Sequence, residues 1–293
     1  MIMGLFSEDI TGNKMIKKLK KLHQLYKNER YKENILFIEN SKTGLSPFEK
    51  NKALHYPEFT EGEAVFFGRT FRFSHGPSFI HSVEELFEEE VYRFESNTEN
   101  PYIIDCGANI GLSILYFKKL FPQSRILAFE PDEKIFNILK ENIHVNYKLN
   151  DVVINKQAVW TEDTELSFFS EGALAGSSVV DFGKKNNIIK VQAIDLKKHL
   201  QEPVDFLKID IEGAENVLIF DIEKELCNVK HLFLEYHGMK DDAQNLHNIL
   251  ELISKVGFRY YIENANIELV QYPFIQESPI SFDMQLNIFC RRI

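Results

Sequence analysis

Three residues in the run Ile103-Ile104-Asp105-Cys106-Gly107-Ala108-Asn109-Ile110-Gly111 combine a carboxylate with two glycines at the spacing of a tight strand-to-helix turn: Asp105, Gly107 and Gly111. A turn of this kind, at the carboxyl end of a central strand in an open α/β sheet, opens a crevice for a nucleotide-like ligand. A pyrophosphate there requires G-x-G-x-x-G, so that bare backbone can approach both phosphates. Asn109 stands in place of the middle glycine, and Asp105 would repel a pyrophosphate. The same carboxylate suits a cationic ligand, and S-adenosylmethionine carries a sulfonium and an ammonium but no phosphate. Glu130 follows about 20 residues beyond the turn, at the end of the next apolar run, where an acid accepts hydrogen bonds from ribose hydroxyls.

A second constellation lies further along. Lys208, Asp210, Glu212 and Glu215 crowd four charges around the end of the apolar run Phe206 to Ile209. Strand alternation puts Lys208 and Asp210 on one side. Glu212 and Glu215 also suit the solvated first turn of a helix, whereas Asp210 directly follows a strand with a buried pattern, which favours an active-site role. Glu235-Tyr236-His237-Gly238 ends another apolar run, and His237 is the best-placed general base because imidazole titrates near neutrality. Methyl transfer asks for an in-line arrangement and the disposal of one proton, so Asp210, Glu212 and His237 are the catalytic candidates. A divalent ion held by Asp210 with Glu235 or His237 is the alternative route to an activated hydroxyl. The spacing matches no recognisable ligand motif, so no metal ligands are expected. His75 and His81 are more remote candidates.

Alternating strands and helices must position these groups. Apolar runs place strands at about 102–105, 126–130, 152–159, 206–209 and 232–236, with helices at 112–121, after Pro131-Asp132, and at 241–256. Glu165 to Phe169 and Ile188 to Ala193 read as a β insertion. Phe258 to Ile262 and Leu286 to Cys290 close the chain with no helical pattern between them, so they are expected to pair antiparallel at the sheet edge, the ending of a class I methyltransferase sheet. Upstream, a helix is expected at about 13–28, irregular connection from Ser41 to Tyr56, and a hairpin or bent strand across 64–73. Ser82-x-x-Glu85 reads as a capping box that opens a helix. Residues 1–97 therefore form an N-terminal helical extension and cap, and residues 98–293 form the ligand-binding domain.

Composition sets outer bounds. With 34 Lys and Arg against 44 Asp and Glu, the net charge is −10, the wrong sign for a broad nucleic-acid or anionic-membrane surface. Cys106, Cys227 and Cys290 are odd in number and far apart, which fits buried free thiols and a reducing compartment. No apolar run reaches the length of a signal peptide or a membrane span, and the expectation is a cytoplasmic protein with no nucleic-acid or membrane partner. Its oligomeric state is not encoded in any motif.

Val91-Tyr92-Arg93-Phe94, Ile104 to Gly111, Ala128-Phe129-Glu130-Pro131 and Leu207 to Glu215 together resemble the FkbM family of S-adenosylmethionine-dependent methyltransferases. The resemblance covers roughly residues 65 to 290 and implies a Rossmann-like α/β fold with a mostly parallel sheet and an antiparallel edge strand. It implies cofactor contacts at Asp105, Gly107, Asn109, Gly111 and Glu130, with Gln157 and Ala158 near the adenine. It further implies methylation of a hydroxyl on a sugar, glycan or small secondary metabolite. Oxygen is also favoured because no Asn- or Asp-Pro-Pro-aromatic tetrapeptide follows residue 209. An NAD-binding oxidoreductase is the second reading, opposed by Asp105 and the missing glycine. A non-catalytic binding or assembly protein is the third, opposed by the intact Asp105, Glu130 and Asp210.

Overall fold

The computed structural model describes residues 41–57, 60–170, 176–177, 188–240, 242–265 and 282–292, with single positions between 270 and 280. The helix expected at 13–28 lies outside the described residues. Seven strands form the main sheet: β3 (Tyr102–Cys106), β4 (Arg125–Phe129), β5 (Val153–Asn155), β10 (Val204–Ile209), β11 (Val229–Met239), β12 (Phe258–Asn264) and β13 (Phe282–Arg292). Their spatial order is β12-β13-β11-β10-β3-β4-β5. All neighbours pair parallel except β13, which runs antiparallel between β11 and β12. The two closing strands thus pair as expected, with the last one inserted next to the edge. The chain moves outward from β3 to β5 and returns to β10 on the other side of β3, so the order reverses between β3 and β10. The crevice opens at the carboxyl ends of those two strands.

Central strands β3 and β10 are buried at every position, as a sheet covered on both faces requires. The covering helices include α3 (Leu112–Leu120), α4 (Glu133–Lys140), α5 (Glu215–Asp221) and α6 (Leu246–Lys255). Asp132 caps α4 by accepting from the backbone N–H groups of Lys134 and Ile135 at 2.8 and 3.0 Å. The run read as one strand over 152–159 divides. Val153–Asn155 stays in the main sheet, while β6 (Ala158–Trp160) pairs with β9 (Ile188–Asp195), which also pairs antiparallel with β7 (Thr164–Ser170). The β insertion is therefore a separate small sheet, completed by β8 (Gly176–Ser177).

N-terminal to β3, a hairpin of β1 (Gly62–Phe66) and β2 (Arg69–Phe73) turns through Phe67 and Gly68, both at positive φ. Two helices differ from the sequence reading for one reason. Helix α1 (Pro47–Leu54) occupies the stretch expected to be irregular, and α2 (Gly76–Val83) starts before the expected capping box, leaving Ser82 inside the helix. In each case a proline sits in the first turn, where its missing N–H costs nothing. The residue before that turn supplies the cap: Ser46 for Glu49 N–H, His75 for Ser78 N–H. A π-type turn, Glu84–Glu89, prolongs α2. Phe66, Phe71, Phe79 and Phe87 pack edge-on or stacked and share one core with Ile114 and Phe117 of α3. Cys106 and Cys290 are buried free thiols, but Cys227 is exposed, because it sits in a short 3-10 turn and not in a strand. Among the described residues, no helix is long and apolar enough to cross a membrane.

Candidate functional site

A cavity of about 860 Å³ opens where the sheet order reverses. One wall is the turn after β3, through Gly107, Ala108, Asn109 and Ile110; another is Lys208, Asp210 and Glu212 at the end of β10, with Glu235 from β11. The segment from Ser74 to Leu86 closes it, bringing Ser74, His75, Ser78, His81, Ser82 and Glu85 to the lining. Among the predicted site residues, Gly107, Asn109, Asp210 and Glu212 line this cavity. Asp105, Gly111, Glu130, Gln157, Ala158 and His237 stand behind or outside its lining.

The turn is built by close approach. Gly107 has φ 89°, and a Cβ there would lie 1.9 Å from the carbonyl oxygen of Asp210, so β3 and the end of β10 meet backbone to backbone only if this residue is glycine. Gly111 has φ 96°, and its missing side chain lets Leu139 and Ile143 pack against the start of α3. Asn109 also adopts positive φ, 46°. Its N–H donates to Glu130 Oε2 at 3.0 Å, and Asp132 N–H donates to Glu130 Oε1 at 2.9 Å. Each carboxylate oxygen retains a further lone pair, so Glu130 can still accept from a diol. Burial pushes its pKa up to about 8 against the pull of those two N–H bonds.

Asp105 does not present its carboxylate to the cavity. It is 0% exposed; Oδ2 accepts from Ser113 Oγ at 2.5 Å, and Oδ1 lies 3.5 Å from Lys208 Nζ. Parallel register sets Lys208 beside Asp105. The ammonium also donates to the Gly107 carbonyl at 2.9 Å and stands 3.1 Å from Asp210 Oδ2. Burial alone would lower the Lys208 pKa, but the carboxylates of Asp210 and Asp105 outweigh it and keep the group charged. Lys208 thus ties the glycine turn to Asp210. Gln157 is half-buried ahead of β6, and Ala158 packs with Val191 and Ala193 in the core of the small sheet.

The catalytic candidates converge. Glu212 sits at φ 55° and Gly213 at 99°, a left-handed pair that folds the chain sharply after Asp210. His237 is 0% exposed. Its Nδ1 and its backbone N–H both face Glu215 Oε1, at 3.0 and 2.9 Å, while Gly213 N–H donates to Glu215 Oε2 at 2.8 Å. Glu215 is also fully buried, so the solvated-turn reading does not hold for it: it orients the imidazole and fastens the loop. His237 Nε2 faces Glu212 Oε2 at 3.4 Å and Glu235 Oε1 at 3.6 Å. Burial would lower the His237 pKa, but Glu215 and Glu212 raise it well above the ordinary value. Burial moves Glu212 up to about 7 and Glu235 up to about 8. Residue types named Lys208 and Glu215 only as members of the charge cluster, and His75 and His81 only as remote candidates; the rest of the wall from Ser74 to Glu85 they did not offer as part of a site. The signal for Glu215 was its two-residue spacing from Gly213, visible only once the loop is folded.

A family model described as "Methyltransferase FkbM domain" matches residues 105–260. "Methyltransferase sdnD" from Sordaria araneosa is 28% identical over 177 residues, 48% of this chain and 68% of the relative. "Methyltransferase 1" from Beauveria bassiana is 27% identical over 213 residues, 64% of this chain and 83% of the relative. A solved FkbM methyltransferase structure from Methylobacillus flagellatus aligns with TM-score 0.42 at 12% identity, over 67% of this chain and 45% of that one.

Proposed function

This chain belongs to the FkbM family of S-adenosylmethionine-dependent methyltransferases, and we propose that it methylates a hydroxyl oxygen on a sugar, glycan or other small polar metabolite. The observation that carries this reading is one cavity with two unlike walls: the glycine turn with Asp210 and Glu212 beside it, and a polar wall of Ser74, His75, Ser78, His81 and Ser82. Such a lining matches an acceptor rich in hydroxyls. The loop after β10 reads Asp210-Ile211-Glu212-Gly213, without the tetrapeptide typical of nitrogen methylation.

The residues fit a cationic cofactor. Glu130 beside Asn109 offers acceptor oxygens for a ribose diol, and Glu85 and Glu235 add acidic side chains to the cavity lining beside Lys208. When bound, S-adenosylmethionine supplies an electrophilic methyl group on sulfur. Asp210 and Glu212 then touch the acceptor, holding its oxygen in line and receiving its proton. His237, out of the cavity lining, acts behind Glu212 as a positioning residue.

Asp210→Asn and Glu212→Gln are expected to keep cofactor binding in calorimetry and to lose transfer by about 100-fold or more. Transfer at the wild-type rate in both variants would refute these roles. The acceptor is found by incubation with methyl-labelled S-adenosylmethionine and fractionated hydroxylated metabolites. Label on a nitrogen would refute the oxygen reading.

A further inference from the structure

Asp210, Glu212 and His237 bring one donor atom each within 4.8 Å of one another. An acidic cluster alone is an ordinary surface feature, but here it surrounds a buried imidazole nitrogen that meets Glu212 and Glu235 only at ion-pair distance. His237 is fully buried, and its Nε2 makes no hydrogen bond. The other ring nitrogen is committed to Glu215 Oε1 at 3.0 Å, and that carboxylate is fixed in turn by the N–H of Gly213. A carboxylate that holds Nδ1 and aims Nε2 at an acidic pocket is the outer-shell arrangement that orients a metal-binding histidine. The spacing also fits. Donors about 2.1 Å from a shared ion stand about 3 Å apart at right angles and about 4.2 Å apart across it, and Nε2 lies 3.4 Å from Glu212 Oε2.

We propose that Asp210, Glu212 and His237 Nε2 bind one divalent cation of the manganese and magnesium class, with Glu215 positioning the histidine. The donor set of two carboxylates and one imidazole is hard, with a single borderline ligand, which favours Mn2+. Glu235 Oε1, 3.6 Å from Nε2, is held on its other side by Gln285 and borders the site. Lys208 meets Asp210 through Oδ2 and offsets part of the negative charge. Because Asp210, Glu212 and Glu235 line the cavity, the ion's remaining positions face that cavity, where the ion, in place of direct contact from Asp210 and Glu212, would hold the hydroxyl oxygen and lower its pKa. That role rests on the methyl-transfer reading; the binding itself does not.

The test titrates chelator-treated full-length protein with Mn2+ alone, without S-adenosylmethionine, and reads bound ion by electron paramagnetic resonance. The expected result is one tightly bound ion per chain, displaced by excess Mg2+, whose electron spin-echo modulation shows an imidazole nitrogen. His237→Gln should remove that nitrogen signal, and Asp210→Asn should weaken binding about 10-fold or more. The wild-type spectrum decides the matter even if a variant fails to fold. Absence of a tight site, or a bound ion without nitrogen coupling, overturns the proposal and leaves a buried ion-pair cluster. Since transfer is not measured, either outcome leaves the methyltransferase reading to its own test.

Discussion

Glu130 is held by two backbone N–H groups and still carries a pKa raised to about 8 by burial. Its carboxylate, the form that accepts from a diol, is therefore scarce in the free protein at neutral pH. S-adenosylmethionine affinity is expected to rise with pH, by at most about tenfold per unit, and to level off above pH 8. In calorimetry Glu130→Gln should bind more weakly and lose most of this slope; an unchanged slope would reject the role. Stability should move the other way. Glu130, Glu212 and Glu235 all have folded pKa values above the ordinary carboxylate range, at about 8, 7 and 8, so the folded state binds more protons than the unfolded one. The cofactor-free protein should lose stability as pH rises from about 5 to about 8, and melting temperatures across that range check the sign. His237 adds to the trend, because a raised histidine pKa gives stability below its ordinary value that is lost as pH climbs through the raised one. Residue types singled out Asp210 and Glu212, which line the cavity, and Glu130 and His237, which stand outside its lining. They did not reveal that Asp105 is sealed under Lys208 and Ser113, or that Glu215 is buried, because the burial of a charged group depends on what packs against it.

Between elements, two contacts hold the crevice open. Gly107 lets the turn after β3 touch the end of β10, and Gly107→Ala would place a methyl group 1.9 Å from the Asp210 carbonyl in a left-handed conformation. This should destabilise the fold by about 3 kcal/mol or more and displace Asp210, as a thermal melt and a loss of transfer would report. Asn142, in the π-type turn Glu141–Asn146, joins the cap to that same glycine turn. Its Nδ2 donates to the carbonyls of Arg72 and Ile110, both at 2.9 Å, and its Oδ1 accepts from Arg72 N–H at 2.8 Å. Asn142→Leu strands buried backbone groups, at about 1–3 kcal/mol each, and should weaken S-adenosylmethionine binding through Ile110. A melting temperature within a degree or two of wild type would contradict this. Sheet strands were legible because β3, β10 and β11 are apolar runs ending at turn residues. The helices at Pro47 and Gly76 were not, since a proline within the first helical turn resembles a breaker until its capping residue is in place.

At the scale of the molecule, the sheet and the hairpin-and-helix cap share one apolar core, which fixes the polar wall of Ser74 to Glu85 over the crevice. The chain's net charge of −10 has a counterpart in this cavity, whose acidic side chains Glu85, Asp210, Glu212 and Glu235 face one lysine, Lys208, and a bound cation favours their ionised forms. A cation-bearing methyl donor matches that field, and a pyrophosphate does not. The seven-strand order has β13 reversed between β11 and β12, in keeping with two closing strand patterns that the sequence joins without a helical pattern after Gly257. The methyl transfer we propose runs from S-adenosylmethionine to oxygen at this cavity. It is tested most directly by incubating the protein with methyl-13C S-adenosylmethionine and fractionated hydroxylated acceptors, and following the labelled carbon by NMR. A methyl ether that forms with wild type and fails to form with Asp210→Asn is the predicted result; label found on nitrogen, or the same ether formed by the variant at the wild-type rate, would contradict it.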